Sequence, residues 1–227
     1  MISLDLPIIA REYLKETPCG IMEFGNKKII TLPTVFPPDI NTLELAKVTS
    51  KLVRQFLEIN HQCRVFEMGV GTGGAILSVA QVPGVIASGA DISPMAVLNA
   101  QANALWWGAK CEIYHSDLFD NVPSNKFDII VWNIPWLSEN PGDIEDIRFQ
   151  AGFDPNYQSL QKFLSDVNQR VASGGSILLA VEKNFCNLNA IYNLIDQAGF
   201  QREIFEEIAV VWQEMNLGLM FIQLTYK

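Results

Sequence analysis

From residue 63 onward, short apolar runs alternate with longer stretches whose apolar positions recur at helical spacing. Strands are expected near 63–68, 85–90, 111–116, 127–132, 175–182, 203–211 and 217–225. Helices are expected near 73–82, 94–106, 157–172 and 187–198. Strand–helix alternation of this kind predicts a parallel sheet covered by helices on both faces. The last two strands are separated only by a short polar break around Gln213-Glu214, so they should pair antiparallel. Upstream, residues 4–16 read as a short amphipathic helix. The runs Gly20 to Phe24 and Lys28 to Leu32 flank Gly25-Asn26 as a β-hairpin. A proline-rich segment, 32–39, leads into a helix over Thr42 to Ile59. The stretch Leu137 to Asn156 has no clear period and reads as a long loop of the kind that often serves as a lid. The expected fold class is α/β, with one domain over 35–227 and a small helix-and-hairpin extension over 1–34.

Bulk properties narrow the function classes. The chain has 227 residues, 49% hydrophobic and 18% charged, which suits a globular protein with a sizeable core. Its net charge of −9 and single basic doublet, Lys27-Lys28, disfavour nucleic acid as a substrate. Cys19, Cys63, Cys111 and Cys186 lie far apart without a C-x-x-C, so neither a disulfide framework nor a metal site is expected. The first ten residues lack a basic n-region, and no uncharged apolar run reaches the roughly 18 residues that span a bilayer. A cytoplasmic protein is expected. His61 and His115 accompany no nucleophile, and Trp106-Trp107 are expected to cap the core.

The candidate chemistry sits at the strand ends, where open α/β sheets bind their ligands. Glu67-Met68-Gly69-Val70-Gly71-Thr72-Gly73-Gly74 joins the first strand of the alternating series to its helix. Glycines there let the backbone turn sharply and let a ligand approach a helix N-terminus, the pattern of a nucleotide-type cofactor site. Gly69-x-Gly71-x-x-Gly74 also satisfies the dinucleotide fingerprint, which keeps a nicotinamide oxidoreductase open. Asp91, followed by Ile92, ends the next strand and can accept both hydroxyls of a ribose; it can equally be a turn carboxylate before Ser93-Pro94. Asp117, followed by Leu118, ends the third and can accept from an exocyclic adenine amine or stand as a solvated turn acid. Asn133-Ile134-Pro135-Trp136 ends the fourth. The loop acids Glu139, Asp143, Glu145, Asp146 and Asp154 form either an acidic lid for a cationic amine or a set of solvated charges.

This ordered set resembles the class I S-adenosylmethionine-dependent methyltransferases over roughly residues 35 to 227. Glu67 through Gly74 is similar to the family's first motif, Asp91 to its ribose acid, and Asp117 to the residue at the adenine amine. Asn133-Ile134-Pro135-Trp136 resembles the N/D-P-P-aromatic tetrapeptide of the amino-methyltransferases, with Ile134 in place of proline and Trp136 in place of tyrosine or phenylalanine. Phe36-Pro37-Pro38-Asp39-Ile40-Asn41-Thr42 is similar to the segment that closes over the methionine end of the cofactor in glutamine methyltransferases of release factors and ribosomal protein. The resemblance implies a seven-stranded Rossmann-like sheet with the last strand antiparallel. It implies S-adenosylmethionine held by Glu67, Gly69, Gly71, Gly73, Asp91, Ile92, Asp117, Leu118, Asn133, Phe36, Pro37 and Thr42. The acceptor would be an amide or amine nitrogen of a small molecule, peptide or protein side chain, held by Asn133, Ile134, Pro135 and Trp136. An sp² nitrogen is a poor nucleophile, and acceptors on the Asn133 side chain and the Ile134 carbonyl would orient its lone pair and stabilise developing charge. The alternatives are methyl transfer to oxygen or carbon, an NAD(P)-dependent oxidoreductase, and a non-catalytic cofactor-binding subunit.

Overall fold

The computed structural model describes residues 13–17, 19–140, 142, 146–213 and 215–226. A hairpin of β1 (Gly20–Phe24) and β2 (Lys27–Thr31) precedes α1 (Ile40–Leu57). Then come β3 (Cys63–Met68), α2 (Gly74–Val79), β4 (Val85–Asp91), α3 (Pro94–Trp107), β5 (Cys111–His115) and β6 (Phe127–Asn133). The chain ends through α4 (Gln158–Asp166), β7 (Val171–Glu182), α5 (Leu188–Gln197), β8 (Phe200–Trp212) and β9 (Met215–Tyr226). Seven strands form one sheet in the order β5-β4-β3-β6-β7-β9-β8. β9 runs antiparallel to both of its neighbours and the remaining pairs are parallel. This is the expected architecture, and the strand order reverses between β3 and β6, where ligands of such sheets bind.

Strand pleating divides the interior into two cores. Cys63, Val65, Ile129, Val131, Leu178 and Ala180 face α1, α2 and α3. Phe66, Met68, Ile130, Trp132, Ile177 and Leu179 face α4 and α5. With both faces covered, the strands are near-continuous apolar runs rather than polar–apolar alternations.

Three expectations change at the boundaries. The expected helix over 157–172 is α4 to Asp166 and then a tight 3-10 turn, Val167–Gln169. Beyond it Arg170 donates to the carbonyls of Phe119, Val122 and Pro123, which ends the helix and frees Val171 to begin β7. The period-free stretch 137–156 holds two 3-10 turns, Ile147–Gly152 and Pro155–Tyr157, and a bridge between Leu137 and Phe153. Of the helix expected over 4–16, Tyr13 to Glu16 are helical and residues 1–12 lie outside the described set.

Two additions shape the strand-end face. The β8–β9 hairpin continues past Glu182, the last β7 residue paired with β9, through the rungs Ala209↔Gly218, Val210↔Leu217, Val211↔Asn216 and Trp212↔Met215. At about 3.4 Å per residue these four rungs overhang the sheet by roughly 14 Å. Trp212 packs edge-on to Tyr13 at 5.0 Å, and Tyr13 lies 6.2 Å from Phe36. The β1–β2 hairpin is fastened to α3 by two buried amides. Asn103 accepts from Ile30 N–H and Asn99 from Leu32 N–H, both at 2.8 Å, and both side chains donate to Ile30 O.

Candidate active site

Parallel register sets the geometry of the strand ends. Met68 lies beside Ala90 of β4 and beside Trp132 of β6. Gly69, Asp91 and Asn133 therefore leave three adjacent strands on one rung, each about 4.8 Å from the next. Asp91 itself pairs with His115 of β5, which puts Ser116-Asp117-Leu118 just beyond, and Asn133 pairs with Ala180 of β7.

The glycine loop is built backbone to backbone. Gly69 and Val70 N–H both donate to Ala90 O, at 2.8 and 3.1 Å, and Gly73 N–H donates to Val70 O at 2.7 Å. Gly69, Gly71 and Gly73 have φ of +67°, +53° and +85°, the left-handed region that disfavours other residues. A Cβ on Gly73 would lie 3.1 Å from Ala100 Cβ, whereas one on Gly71 would meet nothing within 4 Å. The loop is thus packed against α3 on one side and open at Gly71. Asn103 joins it to the hairpin by donating to Thr72 O at 2.9 Å.

Two carboxylates brace this loop. Glu67 Oε2 accepts Ile76 N–H at 2.8 Å and ties the end of β3 to the first turn of α2. Burial pushes its pKa up to about 8, against the opposing pull of that N–H. Asp91 Oδ2 accepts Gly71 N–H and Oδ1 accepts Ser93 N–H, both at 2.9 Å. Burial raises the Asp91 pKa, and the two N–H groups work the other way. Each of its oxygens keeps a second lone pair, enough to accept two hydroxyls.

The remaining predicted residues fall on either side. Ile92 is exposed, and its carbonyl lies 3.0 Å from His115 Nε2. Asp117 is exposed and faces Lys162 of α4 at 3.6 Å. Leu118 is buried with φ +49°. Asp39 caps α1, accepting from Asn41 N–H and Thr42 N–H, while Thr42 Oγ1 lies 3.2 Å from the same carboxylate oxygen. Phe36 and buried Pro37 lead into that cap. Across the hairpin turn, Phe24 lies 3.0 Å from where a Gly74 Cβ would stand and Leu43 lies 3.4 Å from a Gly25 Cβ. The first turns of α1 and α2 therefore meet through the hairpin. Ile134 is buried and donates its N–H to Ala180 O at 3.2 Å, and Trp136 packs half-buried against both cores.

Two of the loop acids are engaged within the fold. Asp146 is paired with Arg148, whose guanidinium also donates to Leu14 O and Thr17 O. Asp154 is buried and accepts Ser159 and Leu160 N–H, capping α4. Asp143 and Glu145 lie outside the described residues, and Glu139 is exposed. Trp107 does cap the core, packing on Phe24 at 6.2 Å and donating to Lys28 O; Trp106 is 46% exposed.

Residues that shape the site but were not singled out from the sequence include Gly89, Asn99 and Asn103. A Cβ on Gly89 would stand 2.4 Å from Val70 Cγ1 and 2.8 Å from Glu67 O, so only glycine lets β4 approach the loop. An isolated glycine within a strand was the available signal. Asn99 and Asn103, spaced i, i+4 on a mostly apolar helix, were another.

S-adenosylmethionine fits this site on the chain's own evidence. Gly71 opens onto free space, Asp91 retains acceptor capacity beside it, and Asn41 Oδ1 is buried with no hydrogen-bond partner among the described residues. Residues 26–207 match the methyltransferase small domain family. The chain belongs to that family. Membership replaces the oxidoreductase alternative and makes the protein an S-adenosylmethionine-dependent methyltransferase. A Methanocaldococcus jannaschii protein named as a protein N5-glutamine methyltransferase is 26% identical over 198 residues, 86% of this chain and 95% of that one. A release factor glutamine methyltransferase of Neisseria gonorrhoeae is 29% identical over 201 residues, 84% of this chain and 71% of that one. Among solved structures, the ribosomal protein L11 methylase of Lactobacillus delbrueckii subsp. bulgaricus matches with a TM-score of 0.61 at 15% identity, covering 92% of this chain and 99% of that one. The T. thermophilus 16S rRNA N2 G1207 methyltransferase, in complex with AdoMet and guanosine, matches at 0.62 and 19% identity over 92% of this chain and 50% of that one. These two likenesses are likenesses of fold. No helix among the described residues is long and apolar enough to cross a membrane.

Proposed function

We propose that this chain is a cytoplasmic methyltransferase that modifies the side-chain amide nitrogen of a glutamine in a protein such as a translation release factor. The observation that carries the reading is register: Asn133-Ile134-Pro135-Trp136 starts on the same rung as Gly69 and Asp91. Support also comes from the glutamine methyltransferases among its relatives. Gly69, Gly71, Gly73, Asp91, Ile92, Asp117 and Leu118 would hold the adenosine portion of the cofactor. Glu67, Phe36, Pro37, Thr42 and Asn133 would bound its methionine end. Bound S-adenosylmethionine supplies an electrophilic methyl group.

The protein's part is positioning. Asn133 Oδ1 and the Ile134 carbonyl accept one N–H each from the substrate amide. That turns the nitrogen lone pair away from conjugation and stabilises positive charge as it develops. Pro135 fixes φ next to that carbonyl. Trp136 offers a face to a planar amide or a growing positive charge. No strong base is needed, because orientation supplies the rate.

The test incubates the protein with S-adenosylmethionine and a bacterial release factor and locates any added methyl by peptide mass spectrometry. Modification of a glutamine is expected. Asn133→Ala should slow it by about 100-fold or more while S-adenosylhomocysteine still binds. A methyl on oxygen or carbon, or equal rates in the variant, would overturn the reading.

A further inference from the structure

Tyr157 is buried where it meets two loops. Its hydroxyl accepts Asn187 N–H at 2.8 Å from the loop after β7, and its own segment is bonded to Ser138, two residues past the tetrapeptide, through Asn156 N–H and Ser138 O. Tyr157 and Asn156 are both left-handed, at φ +53° and +55°. Asparagine tolerates that region, whereas tyrosine is strained there. The left-handed pair leads into α4, whose first turn is capped by Asp154. It also turns the phenol back between the loops that follow β6 and β7.

The same segment holds the β6 loop by its backbone. Leu137 N–H donates to Gly152 O, Asp154 N–H to Leu137 O and Asn156 N–H to Ser138 O, at 3.0, 2.9 and 2.8 Å. The β7 loop is fixed from its other side by Glu182, which accepts from Asn184, Phe185 and Gly218 N–H. Each loop has its own anchor; the Tyr157 hydroxyl is what ties one to the other.

We infer that Tyr157 is a positioning residue, whose hydroxyl fixes the spacing between the Asn133–Ser138 loop and the Lys183–Asn187 loop and so sets the slot that holds the acceptor nitrogen. The inference rests on reading Asn133-Ile134-Pro135-Trp136 as the acceptor loop. Tyr157→Phe keeps the ring and its packing and removes only the tie.

Two readouts separate the outcomes. The first is backbone hydrogen exchange on full-length protein with S-adenosylhomocysteine, which needs no acceptor. Tyr157→Phe should speed exchange at the Ile134 and Leu137 amides by about tenfold, with the Gly69–Ala75 segment unchanged. Asn156→Gly, which keeps both the left-handed turn and the Tyr157 hydroxyl, should leave both amides protected. Exchange that changes only at Asn187, the direct partner, would overturn the inference. The second readout is methyl transfer to a bacterial release factor, where Tyr157→Phe should lower kcat by about tenfold with the KM for S-adenosylmethionine unchanged. An unchanged kcat in an active enzyme overturns the inference. A wild-type enzyme inert toward release factor refutes the proposed substrate instead, and the exchange result still decides the role of Tyr157.

Discussion

Glu67 offers the sharpest test of how the glycine loop is held. Its carboxyl is buried and its pKa stands near 8, against 4.5 for an ordinary glutamate. The unfolded chain releases this proton near pH 4.5, while the folded cofactor-free protein keeps it until about pH 8. Between those values the folded state binds more protons than the unfolded state, so stability falls as pH rises. The slope is about 1.4 kcal/mol per pH unit, and across the window the loss is on the order of 5 kcal/mol. That is a large fraction of the 5–15 kcal/mol typical of a domain. Glu67→Gln is nearly isosteric, its amide oxygen can still accept Ile76 N–H, and it has no proton to lose. Urea unfolding of both proteins at several pH values should show wild type losing stability relative to the variant from about pH 5 to pH 8, with the difference levelling above that. Other titrating groups cancel in the comparison. Parallel curves, agreeing within about 0.5 kcal/mol over the window, would refute a neutral buried Glu67.

Asp91→Ala removes the acceptor of Gly71 and Ser93 N–H and of two ribose hydroxyls, and calorimetry should show S-adenosylhomocysteine binding weakened by roughly 10- to 100-fold. Gly89→Ala places a methyl on Val70 and the Glu67 carbonyl, and urea unfolding should report a loss of about 1–3 kcal/mol together with weaker cofactor binding. Asn103→Leu leaves Ile30 N–H and Thr72 O without their side-chain partner; a loss of about 2–4 kcal/mol in chemical denaturation is expected, with hydrogen exchange faster at Ile30.

The sequence was most legible where one physical rule acts alone. Apolar period located the strands and helices of the alternating series, because burial on one or two faces dictates spacing directly. The sharp turn of the 69–73 glycines was readable for the same reason, since it is a local backbone requirement. Helix ends were less so: α4 stops at Asp166 because Arg170 finds three carbonyls some 50 residues upstream, a cause the local pattern does not contain.

Side chains whose role is set by a distant partner were not legible at all. Arg148 reads as one more loop charge, yet its guanidinium reaches Leu14 O and Thr17 O more than 130 residues upstream, because folding brings that segment against the loop. Asn103 reads as one more polar helix residue until β2 and the glycine loop arrive against it. By itself the sequence determined the order of elements and the residue types at every strand end, since period and backbone preference are local. Tertiary structure alone decided that Gly69, Asp91 and Asn133 share a rung, because parallel register follows from packing the sheet between two helical layers.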